Sequence, residues 1–266
     1  MTLTIATCQF PVDRDIRRNT KYCLTQMRQA ADRGAHVAHF SECCLSGYAG
    51  VEFNSFRGFD WELLENCTQQ VLYLARTLRL WVIVGSAHRL SGRHKPHNCL
   101  YIINDRGRMV DRYDKMFCTG PRKGVSGDLK HYTPGNHLPV FTINGVRCGT
   151  QICHDFRYPE LYREYSKRKV KLVFHAYHNG HMSDRRRRVA RAEVGRTHIA
   201  RNHADNVWGI TVPPTMQAYA ASNHLWISAN NTSARHSAWP SFVVRPDGVI
   251  TGRLHLNRAG VLLTTI

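Results

Sequence analysis

Apolar and polar residues along this chain follow two periods that take turns. Residues 3–8 (LTIATC) read as a first strand, and residues 15–33 carry helical spacing that stops at Gly34. HVAHF (36–40) is a second strand. Between 61 and 79, Leu63, Leu64, Val71, Leu72, Ala75 and Leu78 recur near every 3.6 residues, which predicts an amphipathic helix. LWVIVGSAHRL (80–90), HNCLYIIND (97–105) and MVDRYDK (109–115) read as strands, with DRG (105–107) turning a hairpin.

The stretch 116–136 holds four glycines and two prolines and predicts a long loop, of a length usually reserved for function. Strands follow at 139–143 and 145–152, joined by the tight turn NG. A helix near 159–168, the strand KLVFHA (171–176) and helical stretches at 184–205 and 213–223 come next. Strands at 225–230, 240–245, 248–253 and 260–265 close the pattern. Strands separated by helices, with hairpins added, predict an α/β architecture with mixed sheets. With no repeat and no clear linker, a single domain over 1–266 is expected.

Composition narrows the class. Apolar content of 42% and charged content of 21% describe a globular chain. No apolar run approaches the roughly 20 residues that span a bilayer, and MTLTIATCQF does not read as a signal peptide. The nine cysteines are odd in number, irregularly spaced and free of CxxC pairs, which argues against a disulfide framework or a zinc site. A reducing cytoplasm is expected, where the sequons at Asn66 and Asn231 carry no meaning. The net charge of +18 and pI near 9.9 favour anionic partners. The densest block, Arg185 to Arg196, reads either as an anion-steering surface or as a solvated helix face.

Three positions combine reactive chemistry with a strand end. In GTQICHDFRYPEL (149–161) a short apolar run delivers Cys153 to a strand-to-helix turn, where a helix N-terminus lowers a thiol pKa and holds an oxyanion. Asp155 resembles a cap there, and Pro159 suits the first helical turn. Glu42 follows HVAHF at its C-terminal end, among small and apolar neighbours. Lys115 ends MVDRYDK and opens the glycine-rich loop. A carboxylate, an ammonium and a thiol that converge would make a base, an oxyanion clamp and a nucleophile.

In the order SECCLSGY, DRYDKMF and CGTQICHDFRYPEL, these segments resemble the glutamate, lysine and cysteine motifs of the nitrilase superfamily of carbon–nitrogen hydrolases. YTPG (132–135) and AYAASNHLWISANN (218–231) extend the likeness across nearly the whole chain. The resemblance implies a four-layer αββα sandwich with two mixed β-sheets and a catalytic triad of Glu42, Lys115 and Cys153. It further implies hydrolysis of a small linear amide or N-carbamoyl compound through a Cys153 thioester, with no metal or cofactor, in a homodimer or larger assembly paired through the helix after the cysteine.

Departures from the pattern matter too. Asp128 stands where many members carry a second glutamate, and MFC follows Lys115 in place of the family's histidine and apolar residue. His154 replaces the tyrosine of many amidase-like members. The CHD run differs from the Trp-Glu pair of true nitrilases, which points to amides rather than nitriles. Asp128, His154, Tyr48 and Asn179 are the auxiliary or substrate-binding candidates. The Arg- and His-rich segment 178–203 points to an anionic substrate such as an N-carbamoyl or N-acyl amino acid.

Three other readings compete. Sixteen histidines, with HNGH (178–181) and HIARNH (198–203), offer metal-ligand spacings without a recognised frame. The charge alone could draw nucleic acid, although no recognition motif accompanies it. A family member with impaired catalysis, acting as a ligand- or nucleic-acid-binding protein, is the remaining alternative.

Overall fold

The computed structural model describes residues 2–121, 127–202 and 204–266. One sheet has the strand order β12-β1-β2-β3-β4-β5, formed by β1 (Thr4–Gln9), β2 (Val37–His39), β3 (Trp81–His88), β4 (His97–Ile103), β5 (Met109–Asp114) and β12 (Gly260–Thr265). The other has the order β11-β10-β9-β8-β7-β6, from β6 (Phe141–Ile143), β7 (Val146–Ile152), β8 (Leu172–Ala176), β9 (Trp226–Asn230), β10 (Phe242–Val244) and β11 (Ile250–Arg253). In each sheet three central strands run parallel, β1-β2-β3 and β7-β8-β9, with antiparallel strands on both sides.

Alternation along the strands assigns each residue to a layer. Leu3 and Ile5 turn inward to meet Phe141, Ile152 and Phe174 between the sheets, while Ala6 and Cys8 face outward. On that outer face α1 (Ile16–Asp32) and α2 (Trp61–Leu78) pack Met27, Val71 and Ala75. Asp15 and Asp60 cap these helices by accepting from first-turn N–H groups. On the outer face of the second sheet, α3 (Pro159–Lys167) and α6 (Val207–Asn223) pack Tyr162, Tyr165, Met216 and Ala220. The layers are therefore helix, sheet, sheet, helix, the αββα sandwich that the resemblance implied.

Several elements differ from the sequence pattern. The stretch 184–205 is two helices, α4 (Asp184–Val194) and α5 (Arg196–Asn202), because Gly195 adopts φ +82° between them. The last long helix begins at Val207 rather than near Pro213, with Pro213 and Pro214 inside it. Each proline removes a backbone donor, yet Val212, Pro213 and Met216 are buried against the second sheet and hold the turn. The loop 116–136 contains a 3-10 turn at Asp128–Lys130. A second 3-10 turn, Cys153–Arg157, stands between β7 and α3, and Pro159 occupies the first turn of α3 as its chemistry predicts.

Candidate active site

Glu42, Lys115 and Cys153 come from the C-terminal ends of β2, β5 and β7. Glu42 lies just past β2, in a turn where Cys43 has φ +50°. Its backbone N–H donates to Tyr177 O at 3.2 Å, which ties the turn to the second sheet. This turn lies flat against Gly85 of β3. A Cβ there would come within 2.2 Å of Ser41 O and 2.5 Å of Cys43 N, so no larger residue fits without displacing Glu42.

Lys115 follows β5, its N–H donating to Asn98 O at 2.8 Å and its carbonyl accepting from Gly135 N at 2.9 Å. The side chain is 1% exposed, and its ammonium lies 2.8 Å from Glu42 Oε1 and 2.8 Å from Asp128 Oδ2. Asn98 Nδ2 donates to the same Glu42 Oε1 at 2.7 Å. The second oxygen, Oε2, is buried and takes no hydrogen bond from the described residues.

Cys153 opens onto a cavity of about 380 Å³ whose wall also includes Tyr48, Lys115, Asp128, His154 and Asn179. Its φ of +42° is the left-handed region, costly for a non-glycine residue by about 1–3 kcal/mol. Two side chains, His175 and Asp155, hold the residue there. His175 Nε2 donates to Cys153 O at 3.2 Å, while its Nδ1 lies 2.6 Å from the Tyr162 hydroxyl. Because a carbonyl only accepts, the imidazole is the Nε2–H tautomer, and burial pushes its pKa far down. Asp155 braces the turn from below, accepting from Ile152 N at 3.0 Å, Phe117 N at 2.9 Å and the Tyr113 hydroxyl at 2.7 Å. It thus closes the start of the 3-10 turn through Ile152 N and ties β5 to β7, without capping α3, and burial raises its carboxyl to about 6 against those donors. Arg157 and Glu160, its charged neighbours in sequence, are exposed.

The electrostatics couple these groups. Burial and the Glu42 charge push the Cys153 thiol well up, and Lys115 opposes that rise. Burial works against the Lys115 ammonium, but Glu42 and Asp128 outweigh it and raise the pKa. Asp128 is destabilised as an anion by burial, yet Lys115 prevails and holds its carboxyl low. The thiol therefore favours its protonated form.

All four auxiliary candidates reach this cavity. The Tyr48 hydroxyl donates to Asp128 Oδ1, and its oxygen lies 3.5 Å from Lys115 Nζ. His154 meets Tyr158 edge-on with ring centroids 6.0 Å apart. Asn179 is fixed by its backbone, donating from N to Asn231 Oδ1 at 2.8 Å. Sequence reasoning missed Asn98 and Glu52. A buried polar residue opening β4 was the available sign of the first; nothing in GVEFN marked the second.

The HNGH histidines converge with Glu52. Among the described residues this is the one group whose donor atoms could surround a metal, all within 4.8 Å. Glu52 Oε1 stands 2.7 Å from His178 Nε2 and 3.1 Å from His181 Nε2. Those are hydrogen-bond separations, shorter than the roughly 3.3 Å edge of a tetrahedron with zinc bonds of about 2.0–2.1 Å. His181 Nε2 also donates to Val12 O at 2.9 Å, so it carries a proton. The geometry is that of two imidazoles paired to one carboxylate. In HIARNH, His198 lies on α5 and His203 falls outside the described residues.

The arginine block divides between two surroundings. Arg187 and Arg191 approach Asp205 at 3.4 and 3.5 Å on an exposed face. Arg186 reaches the cavity wall, its guanidinium 5.5 Å from the Trp208 ring centroid. A larger groove of about 1090 Å³, lined by Arg76, Arg79, Arg106 and Arg108, lies at the opposite end of the first sheet and contains no cysteine or histidine.

Comparison with known proteins agrees with this geometry. The family model described as Carbon-nitrogen hydrolase matches residues 4–266. The chain is 30% identical to Deaminated glutathione amidase of Bos taurus over 166 residues, 59% of this chain and 50% of that protein. It is 25% identical to Omega-amidase NIT2 of Homo sapiens over 150 residues, 55% of this chain and 53% of that one. The matched stretch spans about half the length of these curated relatives. An amidase from Nesterenkonia sp. superposes with a TM-score of 0.77 at 18% identity, covering 99% of this chain and 90% of that one. A mutant of that amidase shows covalent addition of the acetamide moiety of fluoroacetamide at its active site cysteine.

Proposed function

We propose, for a chain that belongs to the carbon–nitrogen hydrolase family, that it hydrolyses a small linear amide or N-carbamoyl compound through a thioester on Cys153. One observation carries this reading. The Lys115 ammonium lies 2.8 Å from Glu42 Oε1 in the wall of the cavity onto which Cys153 opens.

The reaction follows from the charges. Glu42 accepts the Cys153 proton, and the thiolate attacks the carbonyl carbon of the amide. Negative charge moves to the carbonyl oxygen, where the Lys115 ammonium and the backbone N–H of His154 stabilise it. As the tetrahedral intermediate collapses, the C–N bond breaks and Glu42 returns its proton to the departing ammonia or amine. Glu42 then deprotonates a water that attacks the thioester, releasing the acid and restoring the thiol. Asp128 keeps Lys115 charged and fixed throughout.

Cavity size and charge select the substrate. About 380 Å³ suits a small molecule. Inside the wall, Asp128 is paired to Lys115 and Glu52 to the histidines, whereas Arg157 and Arg186 have no carboxylate within 4.0 Å among the described residues. An amide bearing a carboxylate, such as an N-carbamoyl or N-acyl amino acid, complements that wall. A reducing compartment suits the nine unpaired cysteines, and pairing of two copies through α3 belongs to the same reading.

The test is a panel of amides and N-carbamoyl compounds read by ammonia release, with Cys153→Ala in parallel. Turnover by the wild type and loss of turnover and of any acyl adduct by intact mass in the variant are expected. Undiminished turnover in Cys153→Ala overturns the reading.

A further inference from the structure

We infer that Glu52, outside the Glu42–Lys115–Cys153 set, is a positioning residue that fixes Lys115 through Tyr48 and Asp128 and, through His178, steadies the cavity wall that Cys153 shares. This rests on the hydrolase reading above and deepens it.

The Glu52 side chain is 3% exposed, accepts two hydrogen bonds and lies within ion-pair distance of a second imidazole. His178 Nε2 donates to Oε1 at 2.7 Å, His181 Nε2 stands 3.1 Å from the same oxygen, and Tyr48 N donates to Oε2 at 2.7 Å. His178 and Tyr48 also stack, with centroids 5.2 Å apart and rings 9° from parallel. Two chains of contact leave this cluster. His178 itself lines the cavity onto which Cys153 opens. The Tyr48 hydroxyl holds Asp128 Oδ1, and Asp128 Oδ2 holds Lys115 Nζ at 2.8 Å.

Only a carboxylate satisfies this site. His178 Nε2 and Tyr48 N both donate to Glu52, one to each of its oxygens. A glutamine of the same shape must turn its NH₂ either to Tyr48 N–H or to the donating His178, setting donor against donor in a buried place. Either choice moves the Tyr48 loop or His178, and with it one arm of the catalytic centre. A misplacement of about 1 Å lowers reactivity by up to about 100-fold.

Iodoacetamide is the probe. Its rate with Cys153 is followed across pH by peptide mass spectrometry in the wild type, Glu52→Gln, Tyr48→Phe and the double variant, with partly exposed Cys118 as internal reference. Glu52→Gln is expected to slow Cys153 by about tenfold or more and to displace its pH profile while Cys118 is unchanged. The double variant is expected to resemble Glu52→Gln, because both act along one chain. Should Glu52→Gln not fold, His178→Phe, which keeps the stacking and removes the bond to Glu52, is read by the same criteria. A folded variant with the wild-type rate and profile, or additive effects in the double variant, overturns the positioning role alone. If wild-type Cys153 reacts no faster than Cys118, the hydrolase reading falls, and this inference with it.

Discussion

The Lys115 ammonium and the Asp128 carboxylate meet at 2.8 Å, both nearly buried, across the mouth of a glycine-rich loop. The resemblance places a glutamate at this position in many relatives, one methylene longer. Here the 3-10 turn at Asp128–Lys130 carries the shorter side chain close enough, and Thr119 N donates to its Oδ2 at 3.0 Å. The departure at 128 therefore still leaves a carboxylate in contact with Lys115.

Asp128→Asn tests that contact. It removes one of the two anions that hold Lys115, leaving Glu42 as the remaining partner. A fall in kcat of about 10- to 100-fold with little change in KM is expected on any amide the wild type turns over. An unchanged kcat would show that Glu42 alone orders the lysine.

Gly85→Ala tests the seat of Glu42. The added Cβ meets backbone atoms of Ser41 and Cys43, which have no rotamer in which to escape. Overpacking of this kind destabilises by about 1–3 kcal/mol, and activity should fall further than stability because Glu42 itself is displaced. Gly120→Ala is the control, since nothing lies within 4 Å of its Cβ and its φ is not positive. Thermal unfolding and ammonia release on both variants decide; equal behaviour refutes the argument.

Glu52 should make the fold acid-sensitive. Burial opposes its charge, but His178 and His181 prevail and lower the carboxyl from 4.5 to about 2. A group depressed in the folded state stabilises fully above its unfolded value, and that stabilisation drains away as pH falls from about 4.5 towards 2. Urea unfolding of the wild type between pH 5 and 2.5 should lose a few kcal/mol more than the same series on Glu52→Gln. Parallel curves for the two proteins would contradict this.

Arg186→Gln separates charge recognition from chemistry. The residue lines the cavity without belonging to the triad. KM for carboxylate-bearing amides should rise about tenfold, corresponding to about 1.4 kcal/mol, while neutral amides are unaffected. A KM that rises equally for both classes would place the arginine in the structure of α4 rather than in recognition.

Much of this molecule was legible from local pattern. Strand and helix periods, the NG turn and the Pro159 helix start depend on neighbours a few residues away, so the sequence carries them directly. Glu42, Lys115 and Cys153 could be singled out because each follows an apolar strand, where a polar side chain must emerge at a sheet edge. The helix through Pro213 and Pro214 was not legible, since packing of Val212 and Met216 on the second sheet overrides the local preference.

The contacts between distant segments belong to the tertiary structure alone. Asn98 reaching Glu42, Asp155 joining β5 to β7, and Glu52 gathering Tyr48, His178 and His181 each link elements that touch only after two sheets stack. Hydrophobic periodicity records which face of a strand is buried, but a buried polar contact depends on the partner brought opposite it. For that reason the sequence could mark Glu42, Lys115 and Cys153, and only the packed sheets could bring Lys115 against Glu42, set Lys115 and Cys153 in one cavity wall and supply the residues that hold them.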